Sequence, residues 1–150
     1  MLNYITKLVE FLNDEINDVP VKASPEAINA PQYYDLMDAK GVILVWLDSV
    51  PNYADINKRI ETEELRTHIY HRTNWVVVSV GLRTFAGAPD LDVLVEKIES
   101  KLIHLKIGDY SPLRPISISK LMVDANNVYW RQLLFETRKK IIGHPVQLVL

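Results

Sequence analysis

The sequence predicts an α+β (α/β) fold, in which a mixed, mostly antiparallel sheet of four to five strands is flanked by two amphipathic helices. Two segments, residues 5–16 and 91–102, repeat apolar side chains at the spacing of a helix. Three others, GVILVWL, WVVVSVGL and VYWRQLLFETR, are rich in β-branched and aromatic residues, which favour strands. The predicted order is helix, two or three strands, helix and two strands.

The composition points to a single domain over residues 1–150. A hydrophobic content of 48% allows a chain of this length to bury a sizeable core. The formal charge of −2 and the pI near 6.1 disfavour a dedicated nucleic-acid binder, which would need a basic surface to neutralise phosphates. The chain has no cysteine, which excludes disulfides and thiolate metal sites. No apolar run approaches the ~20 residues that span a bilayer, so we expect a soluble protein that does not enter a membrane.

Each predicted helix has one apolar stripe and an otherwise polar surface. The stripes consist of Ile5, Leu8, Val9, Leu12 and Ile16 in the first helix and of Leu91, Leu94, Val95, Ile98 and Leu102 in the second. Asp90 and Asp92 favour the positive end of the second helix dipole. Both helices should therefore cover an apolar face of the sheet.

The first half of the chain contains strands of different character. GVILVWL at 41–47 is apolar on both faces, which predicts a central strand covered on both sides. VPVK at 19–22 could form a short edge strand, where proline is tolerated. The charged run from Asp55 to Glu64, which includes Lys58 and Arg59, is expected to be a solvated loop or an extended hairpin. Its functional alternative is a finger that docks to a partner.

The segment from Leu65 to Leu82 changes its apolar register. The apolar positions are Leu65 and Ile69, with Thr67 between them, and then Val76, Val78, Val80 and Leu82. Because the first set is odd-numbered and the second even-numbered, we predict a bulge or break near residues 71–74. The other face of the later part carries Trp75, Val77, Ser79 and Gly81. That mixed face could be an active site, a binding surface or a subunit contact.

The C-terminal third predicts a hairpin. Ile116 and Ile118 alternate in one register and Leu121 and Val123 in the other, which predicts a strand with a bulge near residues 119–120. DANN at 124–127 is typical of a turn, and VYWRQLLFETR follows as the second strand.

No motif predicts catalysis, and we predict no catalytic, cofactor-binding or metal site. His68 and His71 would point to opposite faces of a strand. The five glycines are too far apart for a phosphate-binding loop, and no nucleophile-elbow glycines surround the serines. Tryptophans in strands belong more often to a core or a subunit contact than to a surface that stacks on nucleic-acid bases. Trp75 with Arg83 and Trp130 with Arg131 form amphipathic surfaces of the kind enriched at protein interfaces.

Residues 75–138 resemble a family of small tail-completion, or tail-terminator, proteins from Mu-like, contractile-tailed bacteriophages. The shared pattern begins with a strand that ends in a short Arg-containing turn, here LRTFAG. A helix, here Leu91 to Leu105, then ends before a proline-containing loop. A hairpin follows, and its second strand, here VYWRQLLFET, carries aromatic and Arg residues. The N-terminal helix and GVILVWL are similar more loosely, whereas residues 48–64 and the chain after Arg138 match nothing in the family.

The resemblance implies a structural protein of the virion that forms a ring, expected to be a homohexamer, on the last layer of the tail tube. Such a ring halts growth of the tube and sheath and offers a joining surface to the head connector at the neck. The implied partners are other copies of the chain, the tail tube protein, the sheath protein and the connector protein, with assembly in the bacterial cytoplasm. The family has no catalytic residues to transfer.

In such a ring, dsDNA passes through the channel without specific binding. The inner wall should therefore be acidic or neutral, with Asp90, Asp92 and Glu96 as candidate lining residues. The face that carries Trp75 and Val77 would meet a neighbouring subunit or the inner layer of the ring.

Residues 139–150 form a candidate C-terminal arm. After the break at residues 143–145, the apolar side chains of Val146, Leu148 and Leu150 resume a β-prone pattern. The arm could fold back on its own sheet, or it could be a frayed end without a role. Its functional alternative is strand addition to the sheet edge of a neighbouring subunit or of the topmost sheath protein.

Two other classes of function stay open at the level of sequence. One is a small bacterial nucleic-acid or ligand-binding module, in which Arg83, Arg131 and Arg138 would form a basic cluster. The other is an enzyme whose active site is not identified by any sequence motif.

Overall fold

The computed structural model describes residues 2–24, 37–38, 40–47, 52–61, 66–83 and 88–143. They form two helices, α1 (Leu2–Glu15) and α2 (Ala88–Leu102). They also form seven strands: β1 (Val21–Ala23), β2 (Gly41–Leu47), β3 (Asn52–Glu61), β4 (Arg66–Leu82), β5 (Arg114–Ile118), β6 (Met122–Val123) and β7 (Tyr129–Gly143). The predicted fold class, two helices on a mixed, mostly antiparallel sheet, is confirmed. The number of strands exceeds the predicted four to five because short segments, such as β6, and the polar segment that forms β3 also join the sheet.

The long strands β4 and β7 form the centre of the sheet and pair antiparallel from His68 opposite Gly143 to Leu82 opposite Tyr129. β2 and β3 share the other side of β4, where β2 pairs with its second half and β3 with its first half. β1 adds to β2 in parallel, as the expected edge strand. β5 and β6 both pair with β7, so these two short strands form the opposite edge.

The charged run 55–64 is an extended hairpin rather than a loop as far as Glu61, because β3 pairs antiparallel with β4. The register shifts of that hairpin lie in β3, between Asp55 and Ile60. β4 itself pairs with β7 without interruption, so the predicted bulge near residues 71–74 is wrong. Ile69 is buried on the face of β4 that also carries Val77, which is the face opposite Val76, Val78 and Val80. The apolar residues of β4 therefore change face because its two faces are covered over different parts of the strand, and not because of a bulge.

Both helices pack on one face of the sheet. The predicted stripe residues of α1 and α2 are buried, apart from the half-buried Val9. They form one core with Ile43, Val45, Val76, Val78, Val80, Leu133 and Phe135. The helical spacing in the sequence thus correctly predicted the side chains through which the two helices cover this face of the sheet.

A second, smaller core lies on the other face, at the end of the sheet where β2 pairs with β4. It consists of Val42, Leu44, Trp46, Val77, Val128 and Trp130, with Met37 and Leu134 packed against it. The prediction that GVILVWL is covered on both sides is confirmed, because residues 41–46 are all buried.

The predicted hairpin is confirmed, with a break at residues 119–121 that separates β5 from β6. Asp124 builds the turn, since its Oδ1 accepts hydrogen bonds from the backbone N of Asn126 at 2.8 Å and of Val128 at 3.1 Å. Asn127 adopts a left-handed conformation with φ 59°, which asparagine tolerates. The other carboxylate oxygen of Asp124 accepts a hydrogen bond from Trp130 Nε1 at 3.0 Å, so the turn is fixed to the second core.

Candidate functional site

The mixed face of β4, which carries Trp75, Val77, Ser79 and Gly81, is buried from Val77 to Gly81 and exposed at Trp75. Val77 is only 5% exposed, Ser79 is fully buried, and the ring of Trp130 covers Gly81. Trp75, at 36% exposed, is the one large side chain of this row that reaches solvent. Val77 and Trp130 were predicted at a subunit interface, and that assignment needs correction, because the chain's own second core buries both.

Two of the predicted interface arginines, Arg83 and Arg131, are bound within the chain. Arg83 donates from Nε to the carbonyl oxygen of Asp38 at 3.0 Å. Arg131 Nε lies 3.0 Å from the carboxylate of Asp92 on α2, and its Nη1 donates to the carbonyl oxygen of Ser119 at 3.1 Å. Arg131 therefore joins α2 to the β5–β7 edge.

The three arginines of the nucleic-acid alternative do not form one cluster. Arg131 and Arg138 stand seven positions apart on β7, a distance of about 23 Å with side chains on opposite faces. Arg138 pairs instead with Glu136, at 2.7 Å. The structure thus separates the residues on which that alternative rested.

Other predicted site residues lie on or beyond the long strands. Lys58 and Arg59 lie in β3 of the extended hairpin. Residues 139–143 are the end of β7, so an arm can begin only after Gly143. Val146, Leu148 and Leu150 lie outside the described residues.

A row of exposed apolar side chains lies on the β5–β6 side of the sheet, and we call it the apolar edge. It consists of Ile116, Ile118, Leu121, Met122 and Val123, each between 40% and 52% exposed. β5 ends the strand order, so in the described part of the chain it pairs only on its β7 side. A hollow of about 170 Å³ adjoins this edge, with Glu99 of α2 on one side and Ile116 and Ile118 on the other.

The apolar edge was predicted as a strand but not as a surface. Its sequence signal was the alternation of apolar residues in two registers, which leaves apolar side chains on both faces of a short segment. An exposed apolar edge strand is a ready site for pairing with another chain, and proteins usually protect such edges with charges or proline. Here Pro115 precedes the apolar residues and Lys120 lies among them, yet all five apolar side chains are exposed.

A charged groove of about 500 Å³ lies at the open end of the sheet, and we call it the basic groove. Its charged lining residues, besides His71, are Lys106, Asp109, Arg114, Glu136, Arg138 and Lys140. They come from β5, β7 and the loop after α2, which are far apart in the sequence. Sequence reasoning therefore missed the groove, although it had singled out Arg138.

Glu136 is the centre of the charge network in the basic groove. Its Oε2 accepts a hydrogen bond from Arg114 Nη2 at 3.0 Å, and its Oε1 accepts one from Arg138 Nε at 2.7 Å. Burial alone would raise the pKa of Glu136, but the hydrogen bonds from Arg114 and Arg138 outweigh it and the pKa is lowered. The carboxylate therefore stays ionised and holds both guanidinium groups in place.

The loop that closes the groove is anchored by packing and by backbone hydrogen bonds. Leu113 is fully buried, and the ring of Tyr110 packs edge-on against Tyr4 of α1 with centroids 4.8 Å apart. Ser111 donates from its backbone N to the carbonyl oxygen of Arg138 at 2.7 Å, and Thr137 Oγ1 donates to the carbonyl oxygen of Ser111 at 2.7 Å. The groove is thus a built feature of the fold.

No group of three or more His, Cys, Asp or Glu side chains in the described ranges could hold a metal ion. No helix in the same part of the chain is long and apolar enough to cross a membrane. In comparisons with known proteins, no family model and no curated protein matches this sequence. The resemblance to phage tail-completion proteins therefore stays a prediction.

Proposed function

We propose that the chain is a structural assembly protein, a phage tail terminator whose copies join into a ring through the apolar edge. The observation that carries this proposal is the exposure of five apolar side chains beside a strand that ends the sheet. Patches of this kind mark protein contacts more often than they mark free surface.

The energetics favour a contact at this edge. Burial of apolar surface contributes about 25 cal/mol per Å², and a stable interface buries about 1,200–2,000 Å² in total. The apolar edge and the adjoining hollow would form the centre of such an interface, with the charged residues around them as its rim. Because Pro115 cannot donate a backbone hydrogen bond, side-chain packing contributes more to the contact than strand addition.

A ring requires a heterologous contact, in which the apolar edge of one copy meets a different surface of the next. Trp75 and the extended β3–β4 hairpin, with Lys58 and Arg59, are the candidate surfaces for that neighbour or for the sheath. The hexameric number, the tube, sheath and connector as partners, and the place at the neck rest on the family resemblance.

The residues proposed for the channel wall are compatible with unhindered passage of dsDNA. Asp90, Asp92 and Glu96 are all exposed on α2. Asp92 is partly neutralised by Arg131, so this helix surface is mildly rather than strongly acidic. Such a surface does not attract the phosphates of DNA.

Electron microscopy of assembled contractile tails with a labelled chain tests the proposal. We expect the label at the head-proximal end of the tail, in a ring that caps the tube. Label distributed along the tube or sheath, or absent from purified tails, would contradict the proposed function.

A further inference from the structure

The basic groove stands out from the charge of the whole protein. The chain has a formal charge of −2, yet the groove brings together four permanent cations, Lys106, Arg114, Arg138 and Lys140, against two carboxylates. With His71 neutral, the groove has a formal charge of +2. Within the described ranges, neither Lys106 nor Lys140 forms an ion pair. Their charges are therefore available to a ligand.

The two arginines of the groove are pre-oriented. Each gives one nitrogen to Glu136, which leaves most of the five N–H groups of each guanidinium free to donate elsewhere. Their side chains are about half exposed, at 62% for Arg114 and 46% for Arg138. A planar fork held in this way matches the oxygens of a phosphate group, and little side-chain freedom is lost on binding.

The remaining lining residues are also suited to an anion. Ser111 Oγ accepts a hydrogen bond from the backbone N of Arg138 at 2.9 Å, which leaves its own O–H available as a donor. The volume of about 500 Å³ admits a phosphate group and its immediate substituents, but not a DNA duplex. A groove charge of +2 is balanced by a phosphate group with two negative charges, whereas a single carboxylate would leave one positive charge unbalanced.

We propose that the basic groove binds a phosphate group, carried either by a small phosphorylated molecule or by a flexible single-stranded nucleic acid. Arg114 and Arg138 bind the phosphate oxygens, Lys106 and Lys140 neutralise its charge, and Glu136 is a positioning residue that holds the arginines. This proposal is independent of ring formation. If both proposals hold, the groove does not line the channel, because dsDNA must pass there without binding.

The test is isothermal titration calorimetry of the full chain with inorganic pyrophosphate, and in parallel fluorescence anisotropy with a labelled single-stranded oligonucleotide of about ten nucleotides. The test variant is Lys106→Ala/Lys140→Ala, because both lysines are exposed and lie outside the Glu136 network. Lys7→Ala/Lys22→Ala, at two exposed positions on α1 and β1, removes the same charge elsewhere. Arg114→Lys keeps the charge but removes the planar fork.

We expect the wild type and the Lys7→Ala/Lys22→Ala control to bind equally, and the groove variant to bind about tenfold or more weakly. Arg114→Lys should also weaken binding, because the fork is lost. Binding of both probes supports recognition of the phosphate group itself, and binding of the oligonucleotide alone supports the nucleic-acid source. The proposal is overturned if neither probe binds, or if the groove variant binds as the wild type does. Sedimentation of the groove variant shows separately whether self-association is intact.

Discussion

The indole ring of Trp130 lies directly over Gly81, its partner across the β4–β7 pair. A Cβ on residue 81 would stand 2.5 Å from the ring, which is closer than side-chain atoms can approach. The hydrogen bond from Trp130 Nε1 to Asp124 holds the ring in this position. Because Gly81 has no side chain, it leaves the space that the indole ring of Trp130 occupies in the second core.

Replacement of Gly81 by Ala should destabilise the protein by about 1–3 kcal/mol, because the ring of Trp130 must shift. Urea unfolding measures the loss. Trp130→Leu removes the ring, so the double variant Gly81→Ala/Trp130→Leu should lose less than the sum of the two single losses. Strict additivity would show that the two residues are not coupled.

Replacement of Leu94 by Ala should cost about 2–5 kcal/mol in unfolding free energy, because Leu94 lies in the core between α2 and the sheet and is 4% exposed. Val93 precedes it on the same helix and is 62% exposed, so Val93→Ala serves as the matched control and should change stability by less than about 0.5 kcal/mol. Equal effects at the two positions would be inconsistent with the packing of α2.

Replacement of Glu136 by Gln should destabilise the protein at neutral pH by about 1–3 kcal/mol, since two charged hydrogen bonds lose their anionic acceptor. The pKa of Glu136 is lowered from its ordinary value of 4.5. Its contribution to stability is therefore complete above pH 4.5 and is lost as the pH falls through the folded-state value. Urea unfolding of both proteins from pH 7 downward checks this. A stability difference that stays constant into acid would argue against the lowered pKa.

The sequence predicted those parts of the fold that depend on local periodicity. The stripes of α1 and α2 and the two-sided burial of GVILVWL appear in the structure as expected. Helical spacing is a strong signal because each stripe lies within a few turns of one element.

The parts that depend on distant pairing were not predictable. β4 is longer than the surface that the helices cover, so its apolar residues change face without a bulge. Trp130 was expected at an interface because nothing near it in the sequence revealed that its ring packs over Gly81, in one core with Val42 and Val77. The basic groove depends on the same kind of distant contact, since Lys106 and Arg138 meet only through the loop at Tyr110.

The proposed ring depends on self-association through the apolar edge, which sedimentation velocity at rising protein concentration measures. The test variant is Ile116→Lys/Ile118→Lys, which places two charges on the edge. The control is Val93→Lys, which places a charge at an exposed apolar position of α2 outside the edge. The wild type and the control should shift from 17.3 kDa toward a ring, with the expected hexamer at about six times that mass, while the edge variant stays monomeric and folded. A wild type that sediments as a monomer at every concentration, or an edge variant that assembles as the wild type does, would rule out self-association through the apolar edge.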